Sequence, residues 1–212
     1  HCPSQSTVPN IILAARADRV DSKGIRFPYN IVFRWLLPRG VLFGRLVKFA
    51  SWFQWLFLPK TEGTIRHLSF FLSALGKGRR IPQLAPQFLK QQIPVINKPP
   101  EGVETRLRVG YFIGCSTNFV FPDVGRKIIR FLNKSGVEVV VPESQGCCGA
   151  PVFLGAGDFV TGRKMAEANA AMFADWDYVI TGCGTCASAL KDYHKFLADT
   201  DESKAAFAKF GD

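Results

Sequence analysis

Val137-Glu-Val-Val-Val-Pro-Glu-Ser-Gln-Gly-Cys-Cys-Gly149 is the stretch on which the reading of this chain turns. Its first part is β-branched and stops at Pro142, the pattern of a short strand. Its last part sets two cysteines side by side. Neighbouring side chains on an extended chain point to opposite faces, so Cys147 and Cys148 converge on one centre only if the backbone bends sharply. Gly146 and Gly149 flank the pair and permit the dihedrals that such a bend needs.

The same grammar repeats on both sides. Upstream, Arg108-Val-Gly-Tyr-Phe-Ile113 reads as a strand, and Phe121 to Lys134 carries apolar residues at helical period before Gly136. Downstream, Phe159 to Ala174 is alanine-rich and helical, Tyr178-Val-Ile-Thr181 is a third strand, and Cys186 to Leu197 a third helix. Strand and helix alternate three times, which predicts an α/β fold with a parallel sheet.

Five of the six cysteines fall in this region. Cys115 follows the first strand, Cys147 and Cys148 the second, Cys183 and Cys186 the third. All five therefore belong to loops at the carboxyl ends of parallel strands, where open α/β sheets place their ligand sites. Gly114 precedes Cys115, and Gly182 and Gly184 flank Cys183, so each loop carries a flexible glycine that could also bring backbone amides to a cofactor. The thiols admit several chemistries. Disulfides suit an oxidising compartment, for which no secretory signal speaks. A Cys183–Cys186 redox pair leaves three cysteines unexplained, and zinc takes four ligands rather than five. Buried free thiols account for one such residue more readily than for five. An iron–sulfur cluster, which takes soft thiolates, is the favoured reading, with the others open.

The first half differs in texture. The 212-residue chain carries a net charge of +10, with +11 on residues 1–106 and −1 on residues 107–212. Val8 to Val20 has helical spacing, and Arg26 to Leu58 interleaves Phe27, Tyr29, Phe33, Trp35, Phe43, Phe49, Trp52, Phe53, Trp55 and Phe57 with Arg34, Arg39, Arg45 and Lys48. The uncharged run from Phe49 to Leu58 is too short to span a bilayer, which takes about twenty residues. It reads either as a helix packed into an interface or core, or as a membrane-surface or quinone-facing helix with a basic flank. From Gly76 to Arg106 a basic cluster, Lys77-Gly-Arg-Arg80, leads into Pro82, Pro86, Pro94, Pro99 and Pro100, an extended surface connector. No aromatic nucleic-acid motif accompanies the cluster, and no nucleic-acid partner is expected.

Cys115, then 31 residues, Cys147-Cys148-Gly149, then 33 residues and Cys183-Gly-Thr-Cys186 resembles the cysteine-rich CCG domain. That domain occurs in heterodisulfide reductase subunits and in iron–sulfur subunits of glycolate, lactate and glycerol-3-phosphate oxidation systems. The resemblance implies a Rossmann-like domain of strand–helix repeats over 107–212. It implies a [4Fe–4S] cluster, of cubane or non-cubane type, on Cys115, Cys147, Cys148, Cys183 and Cys186. Cys2-Pro3 looks like the tail of a ferredoxin-like module over 1–20, whose last cysteine would ligate a second, cubane [4Fe–4S] cluster. Residues 21–75 would be a helical aromatic and basic region and 76–106 a connector. The chain is expected to be a fragment, lacking the other ferredoxin cysteines and a second CCG repeat.

The function so implied is electron transfer in a cytoplasmic oxidoreductase complex, either free or peripheral on the inner membrane. A flavoprotein partner would oxidise a 2-hydroxy acid such as glycolate or lactate, and electrons would pass toward quinone or another acceptor. The alternative is a heterodisulfide-reductase-type subunit whose cluster reduces a disulfide; a third is a zinc-stabilised binding module. His194 is expected to be a solvated or packing residue rather than a ligand, and His67 has no acidic partner nearby. The chain shows no Ser-His-Asp arrangement, phosphate loop or dinucleotide fingerprint.

Overall fold

The computed structural model describes residues 8–54, 60–62, 65–67, 80–208 and 210. Cys2, Trp55, Phe57 and residues 77–79 lie outside them, so the expectations placed there are not addressed.

The second half is an open sheet between helices. Strands β5 (Leu107–Tyr111), β6 (Val137–Val140) and β7 (Val179–Ile180) are parallel, with Val109 opposite Val139 and Gly110 opposite Val179. The α/β fold expected from the strand–helix alternation is thus borne out. A fourth strand, β4 (Ile96–Asn97), joins β6 antiparallel, giving the order β4-β6-β5-β7. It comes from the proline-rich connector, between Pro94 and Pro99, and occupies an edge, where proline neighbours are tolerated. The connector is also anchored more deeply than expected. Helix α3 (Leu89–Gln92) buries Leu89 completely beside Phe88.

Alternation along β5 assigns the two faces. Val109, Tyr111 and Ile113 pack with Leu89, Val139 and Ile129, the last from helix α5 (Pro122–Lys134). Phe112 points the other way, into a core with Phe153, Phe173 and Tyr193. That core belongs to helices α6 (Phe159–Met172), α8 (Tyr193–Phe196) and α9 (Asp201–Ala208). Burying each of these aromatic residues contributes about 1.5–3 kcal/mol. Gly110 lies on this second face because a Cβ there would come within 2.7 Å of the Phe173 ring.

The first half packs onto the second. Helix α1 (Val8–Lys23) donates from Arg16 Nη1 to the Leu154 carbonyl at 2.8 Å, in a π-helical turn, Pro151–Ala156. A second π-helical turn, Ile31–Leu36, sends Arg34 Nε to Asp158 Oδ2 at 2.7 Å. Helix α2 (Gly40–Trp52) starts against the tandem-cysteine loop: a Cβ on Gly40 would stand 2.8 Å from the Gly146 Cα. Two short strands, β1 (Lys60–Glu62) and β2 (Ile65–His67), pair antiparallel and fall inside the stretch read as helical; β2 also pairs with β3 (Arg80–Pro82). Among the described residues no helix is long and apolar enough to cross a membrane.

Candidate metal centre

The sheet delivers its cysteines to one edge. Chain order places β6 and β7 on opposite sides of β5, so the crevice between β5 and β7 is a topological switch point. Cys115 lies in the first turn of helix α4 (Gly114–Phe119), straight after β5. Cys183 is the N-cap of helix α7 (Gly184–Lys191), after β7, and Cys186 sits in that helix's first turn. Cys147 and Cys148 arrive from β6. Helix N-termini carry partial positive charge and unpaired N–H groups, which favour thiolates and anionic cofactors in these positions.

The five thiols gather at this edge. Cys147, Cys148 and Cys186 share one buried cluster with Cys183 packed against it, Cys183 and Cys186 lie beside Gly114, and Cys115 and Cys147 line one cavity. All five are free thiols; Cys147, Cys148 and Cys186 are buried, while Cys115 and Cys183 are half-exposed. The neighbouring thiols affect one another's ionisation. Cys147 holds Cys115 below the ordinary thiol value, and Cys147 and Cys186 hold Cys148 well below it. Their thiol neighbours, and burial, push Cys147 and Cys186 up. Among the described residues, no three His, Cys, Asp or Glu side chains are gathered to hold a single metal ion.

Supporting bonds fix the tandem-cysteine loop from behind. Tyr193, fully buried, donates its hydroxyl to the Cys148 carbonyl at 2.7 Å. Asn169 Nδ2 donates to the Cys147 carbonyl at 3.1 Å and to the Tyr193 oxygen at 3.0 Å. Gln145 ties the loop to the end of β5: its Oε1 accepts from Ile113 N and its Nε2 donates to the Tyr111 carbonyl. Lys90 Nζ donates to the carbonyls of Glu143 and Gln145, both at 2.8 Å, and burial lowers its pKa to about 8. None of these four supports was singled out from the sequence. Their only signal there is a polar residue inside an otherwise apolar pattern.

The glycines divide. Gly114 and Gly149 take positive φ, +68° and +78°, as a cysteine-bearing bend requires. A Cβ on Gly114 would also lie 2.8 Å from the Cys186 sulfur. Gly146, Gly182 and Gly184 do not take positive φ. Gly146 instead allows the close approach of α2, and Gly182 makes room for Ile128, whose Cδ1 a Cβ would meet at 2.5 Å. His194 is exposed, as expected.

One donor has nothing to give its proton to. The Tyr111 side chain is fully buried, and its hydroxyl has no hydrogen-bond partner among the described residues. Burial, then the charges of Cys183 and Cys186, raise its pKa to about 12. A buried phenol without an acceptor is costly, about 1–3 kcal/mol, unless a group at the cysteine edge accepts from it. Sulfur-bearing cofactors provide such acceptors. The donor set, the orphaned hydroxyl and the space that Gly114 keeps clear all fit an iron–sulfur cluster.

Comparison with known proteins agrees. The family model described as the cysteine-rich domain, CCG, matches residues 109–191. An uncharacterized iron–sulfur protein of Methanococcus maripaludis is 30% identical over 131 residues, 61% of this chain and 26% of that protein. Lactate utilization protein A of Shouchella clausii is 35% identical over 96 residues, 45% of this chain and 40% of that protein. A fumarate reductase (CoM/CoB) component of Methanothermobacter marburgensis is 37% identical over 90 residues, 42% of this chain and 18% of that protein. The matched segment thus spans well under half the length of each relative. No solved structure matches the chain significantly. The CCG resemblance read from the cysteine spacing is borne out, and the chain shares this domain with iron–sulfur proteins.

Proposed function

We propose that Cys115, Cys147, Cys148, Cys183 and Cys186 hold an iron–sulfur cluster of the [4Fe–4S] class and that the protein carries electrons through it. The observation that carries this reading is the gathering of five free thiols at the sheet's switch point, Cys183 and Cys186 beside Gly114 and Cys147 and Cys148 in the same buried cluster. The cluster would supply one-electron transfer. The protein's own residues bind it, seat its ligand loop through Tyr193 and Asn169, and offer it the Tyr111 hydroxyl. Cys2 serves a separate cubane cluster in a ferredoxin-like module.

The donor is a flavoprotein that oxidises a 2-hydroxy acid such as lactate or glycolate, and the acceptor a quinone or its equivalent. Similarity to lactate utilization protein A supports the donor. A cytoplasmic protein peripheral on the inner membrane suits the exposed aromatic residues Trp35, Phe49, Trp52 and Phe53, interleaved with arginine. A second reading, a heterodisulfide-reductase-type subunit that reduces a disulfide at the same cysteines, draws on the similarity to the fumarate reductase (CoM/CoB) component.

Anaerobic reconstitution with iron and sulfide tests the cluster. The wild type should bind iron and sulfide and show broad visible absorption, with a paramagnetic signal in one oxidation state. Cys147→Ala and Cys148→Ala should each lose more than about half of the iron with circular dichroism unchanged, since a five-thiolate site uses both. Stoichiometric zinc with no iron, or full iron in both variants, would end the reading. Adding a disulfide to the reduced protein separates the two functions: reoxidation by the disulfide alone selects the second.

A further inference from the structure

A cavity of about 480 Å³ lies against the outer side of the cysteine edge. Gly114, Cys115, Gly146 and Cys147 form its floor, and helix α2 forms one wall through Gly40, Gly44, Lys48 and Trp52. Phe43, Phe49, Phe88 and Phe119 add four aromatic rings, beside polar residues that include Asn118 and Glu143. Phe119 packs edge-on against both Phe43 and Phe88, with centroids 5.8 and 4.8 Å away, and all three line the space. Ligand cavities generally run from about 300 to 1,000 Å³, so this one has room for a small organic molecule.

The polar groups around it narrow the ligand. Lys48 Nζ donates to the Pro86 carbonyl at 2.6 Å and sits over the Phe88 ring. Lys90 is committed to two loop carbonyls. Arg45, exposed at the rim, has no hydrogen bond or ion pair among the described residues. A polyanion would need several uncommitted cations. One uncommitted guanidinium at the edge of a partly aromatic lining suits a flat, largely apolar ring with a carbonyl oxygen at its edge.

We propose that this cavity binds the ring of a quinone, its apolar tail leaving past Phe49 and Trp52, which stand 59% and 64% exposed. The proposal deepens the electron-transfer reading and rests on it for its purpose: the ring would lie on the backbone of Cys115 and Cys147. Binding itself needs only the walls.

Gly44 gives a clean test. Gly44 lines the cavity and a Cβ there meets nothing within 4 Å, so a side chain begins in open space at the cavity wall. Leucine also has the higher helix propensity, by about 0.8 kcal/mol, so Gly44→Leu should fold. Equilibrium dialysis of the full chain would use a naphthoquinone alkylated at both carbons of its quinone ring, to which thiols cannot add. We expect saturable one-to-one binding by the wild type, at least tenfold weaker binding by Gly44→Leu, and unchanged binding by Leu46→Ala, whose side chain does not line the cavity. No saturable binding by the wild type, or equal binding by Gly44→Leu, overturns the proposal. Dialysis before and after iron loading keeps the two ideas apart. Lost quinone binding with normal iron content defeats only the cavity, and absent iron with intact quinone binding defeats only the cluster.

Discussion

Two buried tyrosines at the cysteine edge look alike in sequence and behave oppositely. Tyr193 has its hydroxyl fully used by Cys148 and Asn169, whereas Tyr111 has no acceptor among the described residues. Removing a bonded buried hydroxyl leaves its partners unpaired, at a cost of about 1–3 kcal/mol, while removing an unpaired one is neutral or stabilising. Tyr193→Phe should therefore lower urea-unfolding stability of the cluster-free chain, and Tyr111→Phe should not. In the iron-loaded chain Tyr111→Phe should shift the midpoint potential downward, because hydrogen bonds to cluster sulfurs favour the reduced state. A Tyr111→Phe potential equal to wild type would show that the hydroxyl does not reach the cluster. The cysteines themselves were legible, since thiols at three strand ends have few other uses. The roles of Tyr111, Tyr193, Asn169 and Gln145 were not, because a hydrogen bond across 22 to 45 residues leaves no periodic trace.

At the scale of elements, the link between Ile31–Leu36 and α6 runs through one carboxylate. Asp158 caps α6 by accepting from Thr161 N and Oγ1, and it also accepts from Arg34. Burial opposes its ionisation, but the bonds from Arg34 and Thr161 prevail and hold its pKa below the ordinary value. Its folded-state pKa is thus depressed, so its stabilisation is present above the unfolded value near 4 and is lost as pH falls through the folded value. Asp158→Asn keeps a competent cap and loses the ion pair, at about 1 kcal/mol; Asp158→Ala loses both, at about 2–3 kcal/mol. The gap between wild type and Asp158→Asn should close in unfolding curves taken at progressively lower pH; a gap that stays constant to acid pH would remove the carboxylate from this role. The start of α6 at Phe159 was visible in sequence because an alanine-rich helical period opens there, whereas its cap at Asp158 was not. Strand β4 was hidden: two residues are too few for alternation to register, and only the edge of an existing sheet gives them a partner.

For the whole molecule, the uneven charge has a physical address. No acidic residue occurs between Asp21 and Glu62, and exposed aromatic residues share that stretch with Arg26, Arg34, Arg39, Arg45 and Lys48. Each cation near an anionic bilayer adds about 1 kcal/mol, and interfacial tryptophan adds apolar contact. The chain should sediment with vesicles containing anionic lipid, far less with neutral ones, and release at high salt; Trp52→Ser should weaken the association severalfold. Equal sedimentation with neutral vesicles would leave the basic face without this function. The close contact between Gly40 and Gly146 joins that face to the cysteines. Helix α2 is an arm of about 20 Å, at 1.5 Å per residue, pinned at one end where backbone meets backbone and tied near the other to the connector, Lys48 to the Pro86 carbonyl and Gln54 to Leu84. The pin is a fulcrum without a cushion of side chains. Whatever displaces the outer end of the arm must first break its bonds to the connector, and then either lift the helix off the loop or move the two neighbouring cysteines with it.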